Sequence, residues 1–259
     1  MRSGAIALVA CIALGAAGCG AGRGVSRSQP RTAAARRSVA LVLTVRRMPW
    51  SLPAPVSGEL VLGQNRRLLI AGGLDAAGAS ASGIFALDPV DGRLRSVGSL
   101  AAPLHDAAGA MLGSQALVLG GGSPVTTADV ERFTPGQNAR IVGRLPTPRS
   151  DAQAVPLGGL VYLVGGYDGA QPTADVLATR DGRRFTTVAR LAIPVRYPAI
   201  AAIGHTIYLF GGERVGGGDT NVIQAVDVAR GAARVVGRLP VTLAHAVGVR
   251  LGRSAYIAG

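Results

Sequence analysis

Six residues after a recurring leucine, this chain places Gly58, Asp106, Asp151, Tyr197 and His245, with His105, Arg149 and Arg196 close beside them. Arginine, carboxylate, imidazole and phenol gathered around one concavity suit recognition of polar or anionic groups, because a guanidinium offers forked hydrogen bonds to a carboxylate or sulfate. A second reading stays open. Pairs such as Arg149 and Asp151 could instead cap loops and satisfy backbone groups, since any lined opening needs polar atoms. Catalysis is not predicted. The sequence has no P-loop, no G-x-S-x-G elbow and no Ser/His/Asp spacing that is diagnostic. The Gly-rich runs GLDAAGASASG, GGGSPVTT and GERVGGGDT follow strands but lead into no helix, so they read as loops rather than phosphate cradles. Three histidines, with His205 predicted to lie apart from His105 and His245, leave no metal-binding set, and no cofactor is expected.

The elements that position these residues come from a repeat. Leu145 to Gly166, LPTPRSDAQAVPLGGLVYLVGG, recurs without insertion from Leu52, Leu100 and Leu191, and in shortened form from Leu239. The copies start 48, 45, 46 and 48 residues apart, and each opening leucine lies 20 residues before a glycine. A fixed period in this range marks a repeat architecture, most often propeller blades. Within each copy two apolar runs flank a turn at one offset, occupied by Asn65, Gly113, Gly158, Gly204 and Gly252. Two-residue hairpin turns need positive φ there, so each copy is predicted to form a β-hairpin, as in Ala152–Leu157 against Leu160–Val164. The second run is apolar at nearly every position (LVYLV, TIYLF) and reads as a strand buried on both faces. Glycine pairs then end it: Gly72 and Gly73, Gly120 and Gly121, Gly165 and Gly166, Gly211 and Gly212. A third run and a fourth short run complete four strands per copy, with Pro55, Pro103, Pro148 and Pro194 at the crossings. All length variation falls between the glycine pair and the next leucine. The predicted fold is all-β, a propeller of four full four-stranded blades plus a partial fifth. Strand one is innermost, so the polar positions should ring one channel mouth, together with the loops carrying Tyr167-Asp168-Gly169 and Glu213-Arg214.

The double glycine after an apolar strand, the LPTPR variants and the DP-like ends of the third run resemble the kelch-repeat family of β-propellers, over about Val39 to Gly259. The family usually carries a Tyr in strand three and a Trp in strand four. Here those positions hold Leu87, Phe133, Thr179 and Val226, then Leu94, Ala139, Phe185 and Ala233, so only Phe133 and Phe185 keep an aromatic. Galactose oxidase has a kelch-like propeller, but its radical-copper site needs a Cys cross-linked to Tyr. Both cysteines of this chain lie within the first twenty residues. The resemblance also extends to exported kelch propellers that interconvert sialic acid anomers.

Composition sets the surroundings. The formal charge is +13 and every basic residue is Arg. The arginines are spread over the repeats, with no helical basic stripe and few aromatics to stack bases, so coding bias is the preferred explanation and nucleic acid is not an expected partner. Long-range attraction to anionic surfaces remains physically reasonable. Residues 1–18 read as an export signal: Arg2, an apolar core from Ala5 to Leu14, then small residues up to Cys19. That core is too short for an ordinary membrane span. Ala16-Ala17-Gly18-Cys19 resembles a bacterial lipobox with Ala16 in place of the usual Leu, which implies lipidation of Cys19 and attachment to the outer face of the cell membrane. An ordinary secretory signal with an incidental cysteine is the alternative. Residues 19–37 read as a flexible tether whose five arginines either touch anionic headgroups, at about 1 kcal/mol each, or are simply solvated. Residues 38–259 form the propeller, in which 38–45 (SVALVLTV) reads as a strand able to complete the last blade. The chain stops inside the fifth glycine pair, and a fragment of a longer protein is expected over a ring closed by a deficient blade.

Two functions are weighed. The favoured one is a non-catalytic, membrane-tethered binding module for a protein or glycan. The other is a carbohydrate-active isomerase, which should concentrate acid and base groups in the channel, whereas the chain has only 14 acids and no pair fixed by spacing.

Overall fold

The computed structural model of the chain describes residues 10–12 and 46–259. The described residues form strands, turns and loops arranged as consecutive blades. Blade one contains Leu60–Gln64, Arg67–Ala71, Ala81–Leu87 and Leu94–Leu104; blade two contains Ala108–Leu112, Gln115–Leu119, Asp129–Phe133 and Arg140–Arg144. Blade three contains Gln153–Leu157, Leu160–Val164, Asp175–Thr179 and Thr186–Arg190; blade four contains Ala199–Ile203, Thr206–Phe210, Val222–Asp227 and Ala232–Arg238. Each is a four-stranded antiparallel sheet with its strands in sequence order, so the predicted all-β propeller of four full blades is what forms. The inner strands of successive blades pack on one another around a common channel. Blade five contributes Val247–Leu251 and Ser254–Ala258.

The hairpin turns explain the register. Asn65 and Arg66 both take positive φ, as do Gly158 and Gly159, whereas in the other copies only the first turn residue does (Gly113, Gly204, Gly252). These are the primed turns whose twist matches that of paired strands. They set Leu157 opposite Leu160 and Ile203 opposite Thr206. The second strands are buried on both faces, with Val161, Leu163 and Val164 at 0–1 % exposure. Each therefore belongs to the packing between its own blade and both neighbours.

The glycine pairs do more than end a strand. The amide of the second glycine donates to a carbonyl in the lead-in of the next blade: Gly73 to Leu104 (2.8 Å), Gly121 to Arg149 (2.9 Å), Gly166 to Val195 (2.9 Å) and Gly212 to Leu243 (2.7 Å). A Cβ on the first glycine of each pair would collide with that same carbonyl. The repeated glycines thus let neighbouring blades approach to backbone hydrogen-bonding distance. The opening leucines of blades two to five (Leu100, Leu145, Leu191, Leu239) are buried, each burial contributing about 2 kcal/mol. Leu52 is only half-buried, because no described blade precedes it.

Two polar side chains tie blade lead-ins to third strands. Glu131 in blade two accepts from the Ala101 amide at 2.8 Å. Gln224 occupies the equivalent strand position in blade four; it accepts from the Ile193 amide and donates to the Ile193 carbonyl, both at 2.9 Å. Both side chains are buried. Burial also pushes the Glu131 carboxyl above the ordinary carboxylate range.

In blade five, Ala10–Ile12 pairs antiparallel with Ser254–Ala258, with Ala10 opposite Ile257 and Ile12 opposite Ala255. This short segment falls within the apolar run read as the core of an export signal. The strand expected over 38–45, the tether and Cys19 lie outside the described residues. Among the described residues no blade covers the face of the fifth inner strand that carries Val247 and Val249, which are 67 % and 61 % exposed. Their counterparts in blade four, Ala199 and Ala201, are buried where the fifth blade covers them.

Candidate functional site at the channel mouth

The recurring polar position has a backbone identity that its residue types conceal. Gly58, Asp106, Asp151, Tyr197 and His245 all take a left-handed conformation, with φ of 62°, 52°, 59°, 52° and 53°. Four of these five residues carry a side chain where glycine would be the unstrained choice, and a tyrosine there is a genuine outlier. Each is linked to the one before it. The amides of Asp106, Asp151, Tyr197 and His245 donate to the carbonyls of Gly58, Asp106, Asp151 and Tyr197 at 2.7, 3.0, 2.8 and 3.2 Å. The result is a backbone belt that passes from blade to blade around the channel axis. Just before the inner strands begin, Asp106, Tyr197 and His245 reach the channel, whereas Asp151 is buried against Arg196.

The channel below has a volume of about 620 Å³ and is lined by the five inner strands, with Asp106, Tyr197 and His245 at its rim and Glu59 beside them. Tyr197 stacks on His245 with ring centroids 3.8 Å apart. Its hydroxyl donates to Asp106 Oδ2 at 3.4 Å. Arg196 lies under the same tyrosine, 5.4 Å from the ring centre, and 5.1 Å from the ring of Tyr167. Its Nη2 meets Glu213 Oε1 at 2.7 Å and its Nη1 meets Asp151 Oδ2 at 3.4 Å. The Arg196–Glu213 contact is reinforced by pairing of Val195–Arg196 with Glu213–Arg214, so a short ladder fixes the loop that carries the acid.

Electrostatics follow from this crowding. Burial pushes the Asp151 carboxyl up, the neighbouring Asp106 adds to the rise, and hydrogen bonds from Ser150 and Tyr197 oppose it. The Tyr197 phenol is pushed well above its usual range, first by burial and then by Asp151 and Asp106. It therefore remains a hydrogen-bond donor throughout the physiological range. Arg196 is held more firmly protonated by its hydrogen bond to Glu213.

The predicted site residues divide. Asp106, Asp151, Arg196, Tyr197 and His245 come together as expected, in one network at one end of the channel. Arg149 does not join them. It is 1 % exposed, and its Nη1 donates to the Asp175 carbonyl at 2.9 Å. Burial lowers its pKa. Arg149 is thus a fixed strut in the packing behind the mouth, and its expected place among the polar groups of the channel mouth is corrected. Arg196 is also engaged, because Asp151 and Glu213 already occupy its fork. His105 turns toward the long loop of blade one, where its Nδ1 meets Ser80 Oγ at 2.8 Å. Glu59 was not foreseen, since it falls one place after the counted position. Among the described residues no group of three or more His, Cys, Asp or Glu side chains is placed to hold a metal ion.

The comparisons with known proteins agree with this architecture. The kelch motif model matches residues 148–178. Kelch-like protein 25 of Xenopus tropicalis is 31 % identical over 127 residues, covering 47 % of this chain and 22 % of that protein. The chain therefore spans about a fifth of that relative's length. Among solved structures, that of YjhT superimposes with a TM-score of 0.68 at 15 % identity, over 80 % of this chain and 73 % of the other. Residues 148–178 thus match the kelch motif, and the blades share their overall arrangement with the YjhT structure.

Proposed function

We propose that this kelch-repeat propeller is a non-catalytic recognition module that binds a hydroxyl-rich glycan at the channel mouth. The observation that carries the proposal is the belt itself. Asp106, Asp151, Tyr197 and His245 hold side chains at left-handed positions, the conformation in which glycine, as at Gly58, costs least. Backbone strain kept at successive blades around one opening is a reason to look for function there. With Arg196 neutralised by Asp151 and Glu213, the accessible groups are the carboxylates Asp106 and Glu59, the Tyr197 hydroxyl and the outer face of His245. Carboxylates accept from sugar hydroxyls, a phenol donates to them, and a ring face packs on their C–H surface. The mouth suits neutral glycans better than anionic ones.

A glycan array, run beside a protein pull-down, tests this. The expected outcome is retention of neutral glycans that is lost in Asp106→Asn. Exclusive retention of acidic glycans, or capture of a protein partner with no glycan binding, would overturn it.

A catalytic reading has one observation in its favour: Asp151 and Tyr197 both have raised pKa values and sit beside Asp106, as a general acid–base pair would. The Asp151 side chain, however, is 5 % exposed and faces Arg196, so its carboxyl does not reach a sugar in the channel. Incubating reducing sugars with the protein and following anomer exchange by NMR discriminates between the two.

The proposal includes a location outside the cytoplasm, with Cys19 lipidated and residues 19–37 as the tether. The Ala5–Leu14 apolar run, the small residues up to Cys19 and the confinement of both cysteines to this segment support it. Cys19→Ala should release the protein from membranes or stall its processing. An unmodified Cys19 by mass spectrometry would contradict it.

A further inference from the structure

The second blade carries a basic cleft on the hairpin-turn side of the propeller, away from the belt. It has a volume of about 350 Å³ and lies between the outer strands of blade two and the turn that joins Asp175–Thr179 to Thr186–Arg190. Three guanidinium groups line it, those of Arg132, Arg140 and Arg183, and no carboxylate does. We propose that this cleft is a second binding site, specific for a phosphate ester, independent of the channel mouth.

Asp181 sits in the adjoining turn, but its Oδ1 accepts from the amides of Arg183 and Arg184 at 2.9 and 3.1 Å. Those bonds hold its carboxyl below the ordinary range and consume it within its own turn. What Asp181 gives to the cleft is its carbonyl, which accepts from Arg132 Nη2. This bond fixes the arginine plane against blade three. Arg132 Nε is buried and has no hydrogen-bond partner. The guanidiniums of Arg140 and Arg183 form no ion pair among the described residues, unlike Arg144 and Arg190, which meet Asp129 and Asp175 at 2.8 and 3.0 Å. Three arginines therefore line one cleft without a carboxylate in its wall, and the one acid in the adjoining turn, Asp181, is held by its own turn amides.

An anion entering the cleft meets guanidinium donors from two strands of blade two and from the turn of blade three. A tetrahedral phosphate offers acceptors in several directions and suits arginine forks that approach from different strands. The amides of Gln115 and Gln137 and the Thr134 hydroxyl lie at the same cleft, ready for an organic portion, and Ile141 and Val142 form an apolar wall. The volume lies in the range of small-ligand sites and exceeds what a bare oxyanion needs. The phosphate ester could be a soluble metabolite or a lipid headgroup, and the chemistry of recognition is the same.

The test uses the full chain and three probes: inorganic phosphate, glycerol phosphate, and vesicles of phosphatidylglycerol against phosphatidylcholine. The variants are Arg140→Gln/Arg183→Gln, at two exposed positions, and Arg250→Gln, an exposed arginine elsewhere that makes the same kind of charge change. Phosphate and glycerol phosphate titrations followed by NMR should saturate with the wild type and with Arg250→Gln. Affinity should fall at least about tenfold in the double variant, with unfolding midpoints unchanged. Arginine-dependent sedimentation with phosphatidylglycerol vesicles, in addition to those titrations, would assign the source to a lipid headgroup. Saturation by the soluble probes without vesicle sedimentation would assign it to a soluble ester. Absence of saturable binding by every probe, or losses that simply follow the number of arginines removed, would overturn the proposal.

Discussion

Replacing Asp106 by glycine separates the structural role of the belt from its chemical one. Asp106 sits at φ of 52°, in the conformation that Gly58 supplies in blade one without strain. An L-residue there costs about 1–2 kcal/mol, somewhat less for aspartate, whose short polar side chain tolerates it. Glycine removes that cost but gives back about 0.5–1 kcal/mol through the freedom of the unfolded chain. The carboxylate adds little to the fold, since its hydrogen bond from Tyr197 is long at 3.4 Å and it raises the pKa of Asp151 by repulsion. Asp106→Gly should therefore be as stable as the wild type or up to about 1 kcal/mol more stable. Asp106→Ala keeps the strain and loses the tolerance of aspartate, so it should be about 1 kcal/mol less stable than the glycine variant, or roughly 2–4 °C lower in Tm. Both should lose glycan binding equally. Chemical and thermal unfolding followed by circular dichroism measure the first effect and array titration the second. An alanine variant as stable as the glycine variant would refute the claim that strain is retained for a ligand.

Three further outcomes follow from the packing. Gly166→Ala meets the Ser150 carbonyl, the Ala152 side chain and Arg149 Cγ at φ of 101°, so it should cost well over 2 kcal/mol. Gly158→Ala at the exposed hairpin turn meets nothing within 4 Å and should cost only about 1 kcal/mol, as read from urea midpoints. Glu131→Gln should stabilise the protein at neutral pH, because the folded pKa of Glu131 is raised. Its favourable contribution is present in full below the unfolded value of about 4.5 and is lost as pH rises through the folded value. The variant and the wild type should converge in stability near pH 4, and a constant difference from pH 4 to 8 would contradict this reasoning.

Much of the fold was legible because the repeat is spelled in residues with few alternatives. The glycine pairs, the turn at Gly113 and its equivalents, and the doubly buried second strands each name one local structure. Even the kelch-type aromatic positions align in the structure, with Phe133 and Thr179 facing Ala116 and Val161 across their ladders. The site was legible in position but not in direction. Counting six residues from each leucine found the belt, yet residue type alone did not show that four non-glycine residues share a left-handed backbone. Arg149 and Arg196 look alike in the sequence, beside Asp151 and Tyr197. Their difference arises because Arg149 passes behind Gly166 to the Asp175 carbonyl, a contact between residues far apart in the chain. The cleft of Arg132, Arg140 and Arg183 is equally non-local. It depends on how blade three places its turn against blade two, which no spacing within a copy records.

A ligand held at the belt end of the channel is distinguished from one held at the hairpin turns by the binding of paired variants on opposite faces. Isothermal titration of an array-selected glycan should show affinity lost in Asp106→Asn/His245→Ala and unchanged in Ser114→Ala/His205→Ala, whose side chains lie at the hairpin turns. Normal binding by the first pair with loss in the second would place the ligand at the opposite end and contradict the account.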